Sequence, residues 1–254
     1  MAKTSNLVIS KKLSWLLRHG DPAKTGLDIR NDGFVEVDQI LKQVGISFEK
    51  LCYIVENDSK GRFKIINEYG KSFIRANQGH SFQFLEDEKL LNKVEIDDNS
   101  NFIQRIIIHG TYLDKWETIK ENGLNRMSRS HIHFVSATNF KLECIKQDSN
   151  ICEDMNIDQI IKEMCNYRCK LGIRPTSEVL IFIDILSCIN TNPNCKFYIS
   201  DNGVILTKGN QQGLIDPSMF LFCIDIKNGE ILLNNINVEH AIPEIIRLIV
   251  NSTR

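Results

Sequence analysis

The apolar residues change from helical to alternating spacing early in the chain, and this change restricts the fold more than any other feature. The spacing predicts a helix over Leu7–His19 and two further short helices over 37–44 and 48–55. Two predicted strands follow, over 62–66 and 72–76, and they are joined by a turn. We therefore expect the first part of the chain to consist of three short helices followed by a hairpin.

The second half of the chain is rich in predicted strands. Val179–Ile185 is an apolar run interrupted only by Asp184, which indicates a buried strand. Further strands are predicted over 106–108, 197–199, 204–206, 220–226 and 230–233, with a C-terminal helix from Pro243. The polar stretch 97–101 is the best boundary candidate. We therefore expect an α+β protein with a winged-helix-like lobe over 1–96 and a β-rich lobe over 97–254.

Composition and charge exclude several classes of protein. Hydrophobic residues make up 42% of the chain and charged residues 25%, which is ordinary for a globular protein. The formal net charge is -1, so any contact with nucleic acid must use a local basic patch. No apolar run reaches membrane-spanning length, and the first residues lack an apolar signal region. We expect an intracellular protein, cytoplasmic or nuclear, with no membrane partner.

The eight cysteines leave two interpretations open. In an intracellular protein they are reduced thiols. Cys165 and Cys169 are four residues apart and would share a helix face, with Cys144 and Cys152 nearby, so a zinc site is conceivable. The chain contains no Cys-x-x-Cys pair, which favours the thiol interpretation.

The stretch Ser128–Ser136 alternates in the manner of a strand. Arg129, His131 and His133 would then share one face, with apolar residues on the other. A guanidinium and two imidazoles facing a cleft suit a phosphorylated ligand. The same pattern also fits a solvated strand face, or a metal site whose third ligand the sequence does not nominate.

Other polar clusters also contain arginine. Arg18 and His19 fall in the last turn of the first predicted helix, where the helix dipole alone favours cations. The run Arg75–Ser81 is compact and offers several donors, although a simple surface turn has the same composition. Lys60 and Arg62 beside the hairpin fit nucleic-acid contacts, or a strand edge protected against pairing.

Two further segments place glycine beside polar residues. His109-Gly110-Thr111 ends a predicted strand, and Ser200-Asp201-Asn202-Gly203 is a hairpin turn. Because glycine has no side chain, it lets the backbone approach a ligand closely. Both segments are therefore candidates for a binding site.

Together these residues resemble the NAD-dependent RNA 2′-phosphotransferases. The Arg-Ala-Asn-Gln-Gly-His-Ser run at 75–81, combined with Arg-x-His-x-His at 129–133, is highly specific, whereas His-Gly-Thr alone would be weak. The matching segments, in the family's order, are Leu16-Leu17-Arg18-His19, Asn57-Asp58-Ser59-Lys60-Gly61-Arg62-Phe63, Ile74-Arg75-Ala76-Asn77-Gln78-Gly79-His80-Ser81, His109-Gly110-Thr111, Gly123-Leu124, Arg129-Ser130-His131-Ile132-His133 and Ser200-Asp201-Asn202-Gly203-Val204.

The resemblance implies a fold and a reaction. A winged-helix-like lobe would face RNA, and an ADP-ribosyltransferase-like lobe would hold NAD. The substrate would be RNA with an internal 2′-phosphate, such as a ligated tRNA. NAD would be consumed as a co-substrate, giving 2′-OH RNA, nicotinamide and ADP-ribose 1″,2″-cyclic phosphate. No metal is implied.

The resemblance also assigns roles to particular residues. The catalytic group would be Arg18, His19, Arg75 and Arg129. The NAD-side candidates are His109, Gly110, Thr111, His133, Ser136, Asn202 and Gly203. The RNA-side candidates are Lys60, Arg62, Asn77, Gln78, His80 and Ser81.

This chain departs from the family in one segment. An insertion at about 141–173 makes it longer than usual between Ser136 and Val179, and it holds four of the eight cysteines. The insertion could be a plain surface addition, a partner site or a lid, and it blurs the placement of Gly172 and Arg174. Two alternative functions stay open: an ADP-ribosyltransferase acting on phosphorylated nucleic-acid ends, and a non-catalytic winged-helix RNA-binding protein.

Overall fold

The computed structural model describes residues 5–138, 173–174 and 176–235. Three features of the sequence lie outside the described residues: Gly172, the four cysteines of the insertion, and the C-terminal helix that was predicted to begin at Pro243. The helices are α1 (Asn6–His19), α2 (Pro22–Thr25), α3 (Val37–Val44), α4 (Phe48–Glu56), α5 (Asp87–Leu90), α6 (Phe102–Arg105), α7 (Leu113–Asn122) and α8 (Ile185–Thr191). The strands are β1 (Val35–Glu36), β2 (Phe63–Glu68), β3 (Lys71–Ala76), β4 (Asn92–Lys93), β5 (Ile106–Thr111), β6 (Leu124–Asn125), β7 (Ile132–Ser136), β8 (Val179–Asp184), β9 (Phe197–Ile199), β10 (Val204–Thr207), β11 (Leu214–Ile215), β12 (Phe220–Asp225) and β13 (Glu230–Asn234).

The described residues group into two compact units. Unit 1 takes the described part of 1–93 together with the short segments 128–130 and 198–202. Unit 2 takes the remaining described residues. Segments distant in sequence therefore join the N-terminal residues in unit 1.

Helix α1 organises the core of unit 1. It begins at a side-chain cap, since the Ser5 hydroxyl accepts a hydrogen bond from the Val8 amide at 3.4 Å. The residues of its apolar stripe are buried, namely Ile9, Leu13, Leu16 and Leu17. They pack in one cluster with buried residues of α3, α4 and the neighbouring sheet, among them Ile40, Leu51 and Ile74. The burial of this stripe fixes which face of α1 points outward.

Strands β2 and β3 form the predicted hairpin. Their antiparallel register places Lys64 opposite Arg75. At the tip, Tyr69 and Gly70 both have positive φ, at 51° and 76°. Strand β1 pairs with the other side of β3, which gives a sheet of order β1-β3-β2. The hairpin thus follows the three predicted helices, α1, α3 and α4, together with the short helix α2, which the spacing of apolar residues did not predict.

Unit 2 is built on an antiparallel sheet in which its strands run in the order β13-β12-β8-β5-β7-β10. All six residues of β8 are buried, which confirms the buried strand predicted from its apolar run. Strand β5 lies beside β8 with His109 opposite Ile181. The rings of Phe182 and Phe222 stack at 4.3 Å between centroids. The mixture of helices and sheets confirms the α+β expectation.

The strand predicted over Ser128–Ser136 begins later than expected. Strand β7 starts at Ile132, and the residues before it form a turn and a bend. The cause is local, because the Asn125 side chain accepts a hydrogen bond from the Met127 amide at 2.7 Å, and Met127 takes a positive φ of 57°. The prediction that Arg129 shares a strand face with His131 and His133 is therefore wrong.

Candidate functional site

Arg18 lies in the last turn of helix α1, in surroundings that disfavour its positive charge. Burial and the nearby Arg62 and Arg129 guanidiniums lower the pKa of Arg18 to about 10, although Asp58 opposes the shift. Its Nε and Nη2 atoms are buried and have no hydrogen-bond partner among the described residues. A crowded guanidinium with unsatisfied donors is the arrangement that an anionic ligand would complete.

His19 follows on the same helical turn and is held by the loop after β3. Its Nδ1 lies 2.9 Å from the Ser81 hydroxyl, and the Ser81 amide donates to the Arg18 carbonyl at 2.9 Å. Burial, followed by the charges of Arg18 and Arg129, lowers the pKa of His19 below 6.5. The shift favours the neutral form of the free imidazole, and the contact with Ser81 leaves Nε2 as the other functional nitrogen.

Glycine at position 79 lets this loop pass close to Arg18. A Cβ on Gly79 would lie 3.5 Å from the Arg18 guanidinium carbon, and the residue has a φ of +85°. The added Cβ would be in ordinary van der Waals contact with the guanidinium, so it is the positive φ that favours glycine here. The Arg75–Ser81 run is thus an ordered loop beside Arg18.

Arg75 lies on β3 and is almost fully buried. Its Nη1 donates to the Asp32 carbonyl at 3.1 Å, and its Nη2 lies 3.0 Å from Asp201 Oδ2. The guanidinium carbon sits 4.7 Å from the centre of the Phe34 ring. These contacts fix the orientation of Arg75, while its Nε has no partner among the described residues.

Asp201 is a residue of this site that the sequence analysis missed. It also accepts from Lys64 at 2.9 Å. Burial raises the pKa of Asp201, but hydrogen bonds and charge from Lys64 and Arg75 outweigh burial and hold it below the usual value. Its place in the Ser-Asp-Asn-Gly-Val segment could have indicated a role in the site, because a carboxylate there could pair with one of the predicted catalytic arginines.

Arg129 belongs to the short segment that joins unit 1. The adjacent Ser130 amide donates to the His80 carbonyl at 3.2 Å, which ties the segment to the loop after β3. Its charge contributes to the lowered pKa values of both Arg18 and His19. All four predicted catalytic residues therefore lie in unit 1, and three of them interact electrostatically.

The predicted RNA-side residues fall into two groups. Asn77 and His80 are buried, and the Asn77 amide donates to the Gly61 carbonyl at 2.7 Å. Arg62 is also engaged within the protein, by Asp58 at 2.6 Å and the Ser10 hydroxyl at 3.0 Å. Accessible surface remains at Lys60, Gln78 and Ser81. The first group organises the loop, and the second is open to a ligand.

Most of the predicted NAD-side residues lie on neighbouring strands of unit 2. His109 Nδ1 donates to the His133 carbonyl at 2.8 Å, which leaves Nε2 as the other ring nitrogen of His109. The Ser136 and Thr138 hydroxyls are 2.7 Å apart. Thr111 is buried beside Gly110, where an added Cβ would lie 2.8 Å from the Ser177 hydroxyl oxygen.

The hairpin turn divides between the two units. Asn202 belongs to unit 1, where its side-chain amide donates to the Lys60 carbonyl at 3.0 Å and its Oδ1 accepts from Ser200 at 2.8 Å. Gly203 belongs to unit 2 and has a φ of +78°. The positive φ explains why glycine occupies this turn position.

Within the part of the chain that the structure describes, no group of three or more His, Cys, Asp or Glu residues could hold a metal ion. The same residues contain no helix that is long and apolar enough to cross a membrane.

Comparison with known proteins identifies related sequences. A family model described as RNA 2′-phosphotransferase, Tpt1 / KptA family, matches residues 4–209. A tRNA 2′-phosphotransferase 1 of Danio rerio is 31% identical over 217 residues, which cover 84% of this chain and 82% of the relative. A putative tRNA 2′-phosphotransferase of Schizosaccharomyces pombe is 34% identical, over 89% of this chain and 53% of the relative. A tRNA 2′-phosphotransferase 1 of Mus musculus is 32% identical, over 87% of this chain and 78% of the relative.

Proposed function

The chain belongs to the RNA 2′-phosphotransferase, Tpt1 / KptA family, and we propose that it transfers an internal RNA 2′-phosphate to NAD. The relatives are named tRNA 2′-phosphotransferases, so the proposed substrate is a ligated tRNA. The proposed products are RNA with a free 2′-hydroxyl, nicotinamide and ADP-ribose 1″,2″-cyclic phosphate.

One observation supports the proposed phosphate site more than any other. Arg18 has two buried guanidinium nitrogens without partners among the described residues, and its charge is crowded by Arg62 and Arg129. A phosphate dianion would satisfy the donors and offset the repulsion. The proposal therefore places the RNA 2′-phosphate at the end of α1.

The arginines act chiefly by positioning in the first step. A phosphate monoester is already an anionic nucleophile, so its attack on the ribose carbon of NAD needs alignment more than a base. Arg18 and Arg129 provide planar donor sets for the phosphate oxygens. Arg75 is held by Asp201 and Asp32, which limits its movement. Its Nε has no partner among the described residues and is its proposed donor to the phosphate.

His19 acts in the second step, in which the phosphate is transferred to the ribose hydroxyl and RNA leaves. The departing RNA oxygen needs a proton, and His19 is the proposed donor. Burial, followed by the charges of Arg18 and Arg129, lowers the pKa of His19 and favours the neutral form of the free imidazole. A bound phosphate dianion would offset those charges and raise the pKa of His19, so the histidine would acquire its proton when substrate is present.

The NAD-side candidates differ chemically from the phosphate site. They offer imidazoles, hydroxyls and glycine backbone, and no arginine or lysine, at His109, Gly110, Thr111, His133 and Ser136. Such donors and acceptors fit the amide and ribose hydroxyls of NAD. Asn202 and Gly203 complete the proposed set. NAD supplies the activated ribose carbon.

We propose the finer architecture on the same basis. Helices α1, α3 and α4 with the β2–β3 hairpin support a winged-helix-like lobe over 1–96. The antiparallel sheet of unit 2 supports an ADP-ribosyltransferase-like lobe over 97–254. Both assignments are by analogy of layout.

A product assay tests the proposed function. The protein is incubated with NAD and an oligonucleotide that carries one internal 2′-phosphate, and an otherwise identical 2′-hydroxyl oligonucleotide is the control. We expect the phosphorylated RNA to be converted to the control RNA. Accumulation of ADP-ribosylated RNA as the final product would replace the proposal with a one-step ADP-ribosyltransferase. Unchanged RNA that still binds would favour a non-catalytic RNA-binding protein.

A further inference from the structure

Helix α1 exposes a tryptophan on the face that its core packing does not use. The Trp15 side chain is 53% exposed, while the apolar stripe on the other side of the helix is buried. An aromatic side chain of this size stabilises the fold most when it is buried, so the exposed part of Trp15 contributes little to the free energy of folding. The indole plane is instead accessible to a ligand.

Trp15 lies between basic residues on this face. Lys11 precedes it by one helical turn, and Arg18 and His19 follow it by three and four residues. Residues with these spacings are neighbours on a helix surface. Four residues correspond to about 6 Å along the axis. Helix α1 contains no acidic residue, so no carboxylate of its own helix opposes the positive charge of Lys11 and Arg18 beside Trp15.

We propose that Trp15 is a stacking platform for a nucleobase next to the nucleotide whose 2′-phosphate binds at Arg18 and His19. This inference rests on the proposed function, because it takes the phosphate position from it. Bases stack on aromatic side chains whatever their sequence, since every base has a π-face. Lys11 is placed to attract the backbone phosphate on the far side of the stacked base.

The proposed contact restricts the class of RNA. A base can stack on Trp15 only if it is not stacked and paired inside a duplex. The flanking nucleotide must therefore be single-stranded, as in a loop or an end. A 2′-phosphate within a continuous duplex should bind poorly at this site.

Intrinsic fluorescence gives a direct reading of the contact. The chain has two tryptophans, and the second, Trp116, is 3% exposed. Titration with an internally 2′-phosphorylated oligonucleotide, without NAD, should quench the emission of Trp15. In Trp15→Phe the quenching should disappear, although the RNA should still bind because a ring remains.

Binding measurements test the energy of the contact. Trp15→Ala should weaken binding of the same oligonucleotide by roughly 5- to 100-fold, as expected for one lost base–aromatic stack. Tyr53→Ala is the matched control, because Tyr53 is 51% exposed and lies 5.2 Å from Lys50 Nζ, but on α4. This control should change affinity less than twofold. Turnover at limiting RNA should fall with the affinity in Trp15→Ala and stay within about twofold of the unmodified protein in Tyr53→Ala.

Changing the RNA removes any dependence on the folding of a variant. The base on one side of the phosphorylated nucleotide is deleted, and then the base on the other side. Only one of the two deletions should weaken binding to the unmodified protein. Trp15→Ala should bind the intact and the abasic RNA equally well. A complementary strand should also reduce binding. Equal affinity for intact, abasic and duplex RNA, or equal losses in Trp15→Ala and Tyr53→Ala, would overturn the proposal. If RNA binds and quenches Trp15 but NAD yields no 2′-hydroxyl RNA, the proposed reaction fails while the stacking contact stands.

Discussion

At the scale of single residues, the arginines of the candidate site have two kinds of surroundings. Arg18 carries lowered basicity because burial and like charges surround it. Arg75, by contrast, is paired with Asp201. The first arrangement is ready to receive an anion, while the second fixes a guanidinium in place. The two arginines should therefore respond differently to mutation.

His19→Ala separates the two proposed chemical steps. Loss of the proton donor should slow release of RNA by about 10²–10⁴-fold. Attack on the ribose carbon needs no such proton, so the 2′-phospho-ADP-ribosylated RNA should accumulate. A single-turnover time course that resolves substrate, intermediate and product measures both steps. A normal second step without accumulation would limit His19 to binding the phosphate.

The lowered pKa of His19 also predicts how stability depends on pH. Because burial and the charges of Arg18 and Arg129 disfavour the folded imidazolium, the unfolded chain binds the proton more readily. Stability from this group is present above the unfolded pKa of 6.5 and decreases as the pH falls below it. Urea unfolding of the ligand-free protein on either side of this value should show the decrease, and His19→Gln should reduce it. The same pH dependence in both proteins would contradict the assignment.

Asp201→Asn tests the positioning of Arg75. The change keeps the size of the side chain but removes the charge that faces Arg75 Nη2 at 3.0 Å. We expect kcat to decrease by about tenfold, in line with one charge-assisted hydrogen bond at a partly exposed site. The RNA concentration at half-maximal rate should change little. Because a smaller folded fraction would also lower the rate alone, kcat is normalised to the folded fraction measured by urea unfolding. Lys64→Met is the control, because it removes the other partner of Asp201 and keeps both members of the Arg75–Asp201 ion pair. Equal effects of both changes would argue against a positioning role.

At the scale of elements, local sequence patterns predicted those that bury one face. Helices α1, α3 and α4 and the β2–β3 hairpin follow the spacing of their apolar residues. Apolar spacing did not predict the short helices α6 and α8, although Asn101 and Asp184 cap their first turns. It also extended β7 too far, because the turn held by Asn125 has no apolar signature. Side-chain hydrogen bonds, not periodicity, decide these boundaries.

Gly123→Ala tests a close backbone approach in unit 2. Gly123 ends α7 with a φ of +88°, and a Cβ there would lie 2.5 Å from the Ile215 carbonyl oxygen. The strained backbone alone should cost about 1–3 kcal/mol, and the clash would force β6 away from β11. Gly229→Ala is the control, since Gly229 has a φ of +77° but open space around its Cα. Urea unfolding should show a clearly larger loss for Gly123→Ala. Equal losses would show that backbone strain, not the contact with Ile215, limits this position.

At the scale of the whole molecule, the candidate site depends on contacts that sequence patterns do not encode. Asp201 is 126 residues from its partner Arg75, and no local spacing predicts that pair. The order of the strands in unit 2 is similarly set by pairing between distant segments, such as β5 with β8. The resemblance to a family supplied the four predicted catalytic residues, while the structure supplied the partners that orient them.

The proposed reaction should require NAD but no metal ion. Three arginines can supply the positive charge that phosphoryl transfer requires, so the reaction should proceed in excess chelator. It should stop without NAD, because the phosphate then has no ribose acceptor. NADH is the matched control: its uncharged dihydronicotinamide is a poor leaving group, so it should not replace NAD. The measurement is conversion of 2′-phosphorylated to 2′-hydroxyl RNA with each nucleotide, before and after dialysis against chelator. Loss of activity on dialysis, restored by zinc, would transfer the charge-stabilising role to a metal and return attention to Cys165 and Cys169 as ligands. Equal activity with NADH would rule out nicotinamide as the leaving group.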